Sequence, residues 1–193
     1  MRILHSGNLA SVGRNLCVGL RRKGALADLV DTLYANRSGL LEKGDKEWTR
    51  LVDANRGLVT SYLDRLEVIY GMRLTRGLHL SQYDIFHFHH VLFPVNMGLA
   101  VRNILGNFRP VILHFHGSVT SKAKGWSYRM RSFLLRRNCE IVLCSTPNIL
   151  ENIRDLPQRK RFLPNPVDTS SFRPRTCTDE LSRSVLCWVK LES

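Results

Sequence analysis

Two apolar stretches of the chain carry histidines at alternate positions. His87 and His89 stand in the first stretch, and His114 and His116 stand in the second. Because side chains alternate between the two faces of a strand, each pair lies on one face if these stretches are strands. Imidazoles placed in this way can hold a metal ion, bind a substrate or take up a proton.

The sequence gives little support for a metal site at these histidines. Zinc hydrolases that use an HxH pair also use carboxylate ligands or bases. No Asp or Glu occurs between Ile85 and Cys139. We therefore predict no metal site. The plainer interpretation is that most of the strand-end histidines, His90 among them, are hydrogen-bonded to backbone groups or water.

His116 is set apart from the other histidines by the glycine that follows it. The apolar run Pro110–Phe115 predicts a buried strand, and Gly117 allows a sharp turn out of it. In an open α/β sheet, a polar residue at the carboxyl end of a central strand faces the ligand crevice. His116 is therefore expected to face this crevice, where it either takes part in chemistry or caps the strand.

A second candidate site lies near the N-terminus. Arg2–His5 is typical of a strand, and residues 6–13 form a glycine-bearing loop before a predicted helix, Arg14–Lys23. Backbone N–H groups at such a helix start can bind phosphate. The spacing is not GxGxxG, so a plain strand-to-helix turn stays an alternative. Asp28 and Asp31 in the next strand could contact a ribose, but a solvated strand end is favoured.

The elements that position these residues alternate between strand and helix, which predicts a parallel sheet covered by helices on both faces, a Rossmann-like α/β fold. Predicted strands are Arg2–His5, Leu26–Leu33, Tyr83–His90, Pro110–His116, Glu140–Ser145 and Arg161–Pro164. Predicted helices are Arg14–Lys23, Lys46–Asn55, Val59–Ile69, Asn96–Leu105, Trp126–Arg137 and Pro147–Arg154.

The composition is that of an ordinary globular domain. Hydrophobic residues make up 44% of the 193 and charged residues 23%. The chain contains no apolar run of about 20 residues and does not start like a signal peptide, so a cytoplasmic location is expected. The five cysteines are odd in number and lack CxxC spacing, which favours buried thiols such as Cys139 and Cys144.

The positive charge of the chain is unevenly distributed. The net charge is +13, and the segment Ile85–Cys139 holds eight basic residues and no acidic one. Such a surface attracts phosphates on nucleic acid, anionic lipid or a nucleotide. Aromatic residues are too sparsely interleaved for a base-stacking platform, so no nucleic acid partner is predicted. Peripheral contact with anionic lipid at the inner membrane face is the favoured alternative.

Several motifs, in order, resemble the N-terminal half of the family 4 retaining glycosyltransferases, whose GT-B architecture consists of two Rossmann-like domains. The matching motifs are the opening strand with its glycine loop up to Gly13, the "YDIFHFH" strand Tyr83–His89, the "VILHFHG" strand Val111–Gly117, the "EIVLCST" strand Glu140–Thr146, and the "FLPNPVD" motif Phe162–Asp168. Ser184–Lys190 resembles the strand that begins the donor-binding domain.

The resemblance implies a domain organisation and a set of site residues. Residues 1–164 would form the acceptor-side domain, 165–183 an interdomain linker, and 184–193 the start of a truncated donor-binding domain. It implies catalysis by His116 and substrate binding by Gly13, Gly117, His89 and Lys190, the last at the position of the family's phosphate-binding arginine. No cofactor is expected, and the nucleotide-sugar is a co-substrate.

The activity that follows from the resemblance is transfer of a sugar from a nucleotide-sugar to a saccharide or lipid-linked acceptor. Since most donor-binding motifs do not occur in the sequence, we expect the chain to be inactive unless a separate polypeptide supplies the donor domain. Two alternatives are a complete, non-catalytic Rossmann-like binding module and a nucleotide-binding oxidoreductase domain. The missing GxGxxG spacing already disfavours the oxidoreductase.

Overall fold

The described residues of this computed structural model form one parallel sheet with helices on both faces. They are residues 1–8, 11–32, 47–52, 71–73, 75–89, 94–116, 138–153 and 158–166. Seven strands pair in the order β3-β2-β1-β4-β5-β6-β7, and each neighbouring pair is parallel. The predicted Rossmann-like α/β class is therefore confirmed.

The strands are β1 (Arg2–Ser6), β2 (Leu26–Thr32), β3 (Thr49–Val52), β4 (Ile85–His89), β5 (Val111–Phe115), β6 (Ile141–Cys144) and β7 (Arg159–Phe162). The helices are α1 (Val12–Arg22), α2 (Pro94–Gly106) and α3 (Pro147–Asn152), with a short 3-10 helix at Leu80–Gln82.

Alternation along the strands divides the sheet into two faces of different character. One face carries Leu4, Phe86, Phe88 and Leu113, which pack with apolar residues of α2 and α3 into the larger core cluster. The opposite face carries a smaller apolar cluster in which Cys17 of α1 lies against Ala27, Leu29 and Trp48. Toward their carboxyl ends, the central strands carry buried histidines on that second face.

The strand order places a topological switch point between β1 and β4. The chain moves outward from β1 to β2 and β3, then returns to pair β4 on the other side of β1. In open α/β sheets, the crevice beyond the carboxyl ends of the strands at such a point is the usual ligand site. The ends of β1 and β4 are Ser6 and His89, and the end of the neighbouring β5 leads into His116.

One predicted helix is wrong. Lys46–Asn55 was expected to be helical, but Thr49–Val52 is the edge strand β3, paired with β2. The side chain of Trp48 is buried against the cluster that contains Cys17 and Leu29. Backbone pairing to β2 and this anchor override the weak local helix preference, because propensity differences are only tenths of a kcal/mol per residue.

The expectation of a solvated strand end at Asp28 is also wrong. Its carboxylate is buried and accepts hydrogen bonds from Arg2 Nη2 at 2.7 Å and Arg21 Nη2 at 2.8 Å. The hydroxyl of Tyr83 donates a further bond at 2.9 Å, and burial followed by the Asp28 charge raises the pKa of Tyr83 to about 12. Asp28 therefore joins β1, α1 and the start of β4. Asp31 is buried as well.

Other sequence expectations can be compared only in part. The predicted helices at Val59–Ile69 and Trp126–Arg137 and the residues 167–193 lie outside the described residues. Cys139 and Cys144 are buried, as predicted. No helix within the described ranges is long and apolar enough to cross a membrane.

We predict that Asp28→Asn lowers the free energy of unfolding by about 2 kcal/mol, because a neutral amide cannot satisfy two guanidinium groups and a hydroxyl as the carboxylate does. Glu140→Gln, an exposed carboxylate at the start of β6, is the matched control and should change it by less than about 0.5 kcal/mol. Chemical denaturation measures both values. Equal stabilities for the two variants would contradict a central role for Asp28.

Candidate functional site

Five buried histidines converge on one face of the sheet near the carboxyl ends of the central strands. Parallel pairing sets His5 of β1 beside His87 of β4, and His89 of β4 beside His114 of β5. The rings lie close together: the centroids of His87 and His89, which stack, are 4.3 Å apart, and those of His114 and His116, which are tilted by 42°, are 4.0 Å apart. The period-two prediction for both pairs is thus confirmed, and β1 adds a fifth imidazole.

Three of these rings form a continuous line of hydrogen bonds. His5 Nδ1 lies 3.1 Å from His89 Nε2, and His89 Nδ1 lies 3.1 Å from His116 Nε2. At the outer end, His116 Nδ1 lies 2.9 Å from Asn165 Oδ1. Because an amide oxygen only accepts, His116 Nδ1 carries the proton, and the neutral line then runs from His5 to Asn165 in one direction.

The electrostatics of the cluster keep the rings uncharged. Burial lowers the pKa of His5 and of His114 to about 3, and it lowers the pKa of His87 and His89 well below the ordinary range. Burial also lowers the pKa of His116, although the bond to Asn165 opposes this effect. The expected bonding to backbone or water is wrong for His89 and His116, whose ring nitrogens meet other side chains.

Asn165 and His5 are site residues that the sequence analysis missed. Asn165 follows β7 in the "FLPNPVD" motif, and this segment returns to the site edge, where Asn15 of α1 donates to the Pro166 carbonyl at 3.3 Å. The resemblance of this motif to the family pointed to the segment, but nothing in the motif identified His116 as the partner of Asn165. The alternation of side chains along β1 places His5 and Leu4 on opposite faces of the sheet, which is a sequence signal for His5. The pairing of His5 with His87 is set by the tertiary structure.

The glycine turn after β1 borders the same edge of the sheet. Gly7 takes a positive φ of 91° and donates its N–H to the Val30 carbonyl at 2.9 Å. The Asn8 side chain caps α1 by accepting the Arg14 N–H at 2.9 Å. A Cβ added to Gly13 would lie 2.3 Å from the Gly7 carbonyl oxygen, so only glycine permits this contact between turn and helix.

The family model described as Glycosyltransferase Family 4 matches residues 10–171, which include α1, Asn165 and every histidine of the cluster except His5. The chain belongs to glycosyltransferase family 4. Its described sheet is the Rossmann-like N-terminal domain of the GT-B architecture. No curated protein sequence matches this family 4 domain significantly.

Solved structures of low sequence identity share the fold of this domain. A sucrose-phosphate synthase structure from Thermosynechococcus elongatus aligns with a TM-score of 0.58 at 14% identity, over 88% of this chain and 92% of that one. The UDP-GlcNAc 2-epimerase of Methanocaldococcus jannaschii aligns with a TM-score of 0.53 at 13% identity, over 86% of this chain. A further UDP-N-acetylglucosamine 2-epimerase gives 0.54 at 9% identity over 82%. The family 4 domain spans 46% of each epimerase chain.

Of the site residues predicted from the sequence, the structure brings only some together. His89 and His116 are in direct contact through one hydrogen bond. Gly13 lies at the start of α1, where its described contact is structural, with the Gly7 carbonyl. Gly117 and Lys190 lie outside the described residues.

A matched pair of glycine substitutions on α1 tests the tight turn. Gly13→Ala should reduce the free energy of unfolding by about 1–3 kcal/mol, because its new methyl group collides with backbone. Gly19→Ala places a methyl group in open space within the same helix and should raise stability by about 0.5–1 kcal/mol. Thermal and denaturant unfolding provide the measurement. Stabilisation by both substitutions would show that the Gly7–Gly13 contact is not tight.

The histidine cluster predicts an acid-labile domain. An unfolded histidine titrates near pH 6.5, whereas His5 and His114 titrate near 3 in the folded protein. Between these values the unfolded chain binds more protons. Stability is therefore fully present above about pH 6.5 and falls as the pH drops, on the order of 1 kcal/mol per pH unit for each such histidine.

Melting temperatures measured between pH 7.5 and 5.0 in chelator-containing buffer test this prediction. His5→Phe removes one titrating ring and should make the fall shallower. A melting temperature that does not change over this range would contradict the neutral, buried state of the cluster.

Proposed function

We propose that this family 4 domain forms the acceptor-side wall of a glycosyltransferase that transfers a sugar from a nucleotide-sugar to a saccharide or lipid-linked acceptor. The observation that carries the proposal is the position of His116. It follows β5 at the ligand-binding edge of a sheet in a domain that belongs to a glycosyltransferase family. The nucleotide of the donor is bound by a second domain, on the same polypeptide or on a separate one.

His116 acts in this proposal as a neutral hydrogen-bonding group. Its Nδ1–H, now directed to Asn165, is the outermost polar group of the histidine line. Asn165 is exposed, so its side chain can rotate away and release this N–H to a sugar hydroxyl. His89 holds the opposite nitrogen and fixes the ring orientation. The lowered pKa of His116 makes an imidazolium that neutralises a departing diphosphate the less favoured role.

The remaining predicted site residues have supporting roles in the proposal. Gly13 keeps the turn after β1 close to α1, so that the edge of the crevice is formed by backbone. The amides near this helix start and at Gly117 would contact the sugar or its phosphate, and Lys190 would contact the donor phosphates.

The basic segment Ile85–Cys139 is proposed to meet an anionic lipid surface on the cytoplasmic side of a membrane. Arg102 contributes little to that surface, because its guanidinium donates to the backbone carbonyls of Thr75 and Leu78. Arg109 is exposed and available. Vesicles containing anionic lipid should bind the protein more strongly than neutral vesicles, and more weakly at high salt. Equal binding to both vesicle types would refute the membrane contact.

The function is tested by incubating the protein with pairs of nucleotide-sugars and saccharide or lipid-linked acceptors, with product detected by mass spectrometry. For any pair that reacts, His116→Ala should lower kcat/KM by at least about 100-fold, since a group that positions the reacting sugar is lost. His79→Ala is the matched control, because His79 is exposed and lies outside the cluster. It should retain full activity.

Binding distinguishes the proposal from its alternatives when no pair reacts. Ligand-observed NMR should detect an acceptor saccharide on the chain alone, with weaker binding to His116→Ala than to His79→Ala. Binding of a nicotinamide dinucleotide without any saccharide or nucleotide-sugar would favour the oxidoreductase alternative. Binding of none of these ligands would favour a module with another partner.

A further inference from the structure

The histidine cluster contains two sets of three imidazoles with the spacing of metal ligands. One set is His5, His87 and His89, and the other is His89, His114 and His116. Within each set, one ring nitrogen per residue can be chosen so that all chosen atoms lie within 4.8 Å of one another. The sequence-based argument against a metal was the missing carboxylate. A set of three histidines needs none, since such sets hold zinc by themselves.

Several ring nitrogens in the cluster lack a hydrogen-bond partner among the described residues. They are both nitrogens of His114 and the Nε2 atoms of His5 and His87. The Leu163 backbone lies near enough to His114 to affect its pKa, but no hydrogen bond of normal geometry forms. A buried polar atom without a partner costs about 1–3 kcal/mol. A metal ion bound to a ring nitrogen would remove that cost at His114.

Each set contains one pair of ring nitrogens 3.1 Å apart, so it is the outer hydrogen bonds that favour the set His89, His114 and His116. His89 Nδ1 and His116 Nε2 are 3.1 Å apart, close to the separation of about 3.3 Å between two nitrogens on a tetrahedral zinc ion. The other nitrogen of each ring already has a partner, Asn165 for His116 and His5 for His89. Ligating histidines usually have such an outer hydrogen bond, which fixes their orientation.

We propose that His89, His114 and His116 form a binding site for one divalent transition-metal ion of the zinc class. His89 Nδ1, His116 Nε2 and one nitrogen of His114 supply the three protein ligands, and water or a bound ligand takes a fourth position. On binding, the proton of His89 moves from Nδ1 to Nε2, where it is donated to His5 Nδ1, and the proton of His5 moves to its Nε2. Asn165 continues to accept the Nδ1–H of His116.

The inference does not rest on the glycosyltransferase activity, so its test uses metal binding only. The chain is stripped with chelator and titrated with Zn²⁺ in competition with a chromophoric chelator. It is titrated separately with Co²⁺, whose visible absorption reports tetrahedral nitrogen coordination. We expect one equivalent of either ion to bind. Failure to bind Zn²⁺, or a Co²⁺ spectrum equal to that of the hydrated ion, would overturn the proposal.

Three Phe variants locate the site. His114→Phe keeps a stacked ring but removes a ligand, and it should weaken Zn²⁺ binding by at least about 100-fold. His87→Phe changes a ring that belongs only to the other set, and it should leave the affinity within about 3-fold. His79→Phe is exposed and should have no effect. Loss of binding in His87→Phe with retention in His114→Phe would assign the metal to His5, His87 and His89 and overturn the proposal.

Two further measurements keep the proposal falsifiable if His114→Phe does not fold. Asn165→Ala changes an exposed residue at the outer contact and should weaken Zn²⁺ binding by about 10-fold. Imidazole ¹⁵N spectra of the unaltered protein should show metal-dependent shifts for four histidines of the cluster, the three ligands and His5, whose tautomer changes, and no shift for His79. Shifts confined to His79, or an unchanged affinity in Asn165→Ala, would refute the site.

Discussion

The structure around the candidate site depends on keeping a group of buried imidazoles uncharged. Five histidines occupy a sheet face that apolar residues would normally fill, and all five are at most 5% exposed. Within the described part of the chain, no carboxylate forms a hydrogen bond with these rings. A charged ring would therefore be desolvated by burial and repelled by the neighbouring histidines. The rings are therefore neutral, and three of them, His5, His89 and His116, are linked by hydrogen bonds.

In a line of neutral imidazoles all hydrogen bonds are donated in the same direction, and Asn165 sets this direction. Since the amide oxygen accepts from His116, each further ring must donate outward in turn, from His5 through His89. A single exposed amide after β7 therefore controls the tautomers of residues on three strands.

The two proposed roles of His116 use different nitrogens of its ring. Contact with a sugar requires its Nδ1, which Asn165 holds, whereas coordination of a metal requires its Nε2, which His89 holds. The two roles are therefore chemically compatible, although a bound metal would make the Nδ1–H a stronger donor. The close packing of Gly13 on the Gly7 carbonyl has a different function, because it fixes the turn that borders the site rather than supplying a ligand.

The sequence by itself determined the local features of this protein. Alternation placed His87 with His89 and His114 with His116, the strand–helix rhythm gave the α/β class, and the ordered motifs gave the family. These features depend on short-range periodicity and on residue order, which the sequence contains directly. The sequence did not predict the edge strand β3 or the burial of Asp28, because both depend on partners elsewhere in the chain. The strand depends on β2, and the carboxylate depends on Arg2, Arg21 and Tyr83.

Only the tertiary structure decided which histidines form one site. The register of β1 with β4 brings in His5 across 84 positions of sequence, and the return of the chain after β7 brings in Asn165 across 49. Register is set by the summed packing of the two sheet faces and not by any residue in the pair itself. The sequence therefore indicated that His116 faces a crevice, but its partners and its protonated nitrogen were decided by the fold.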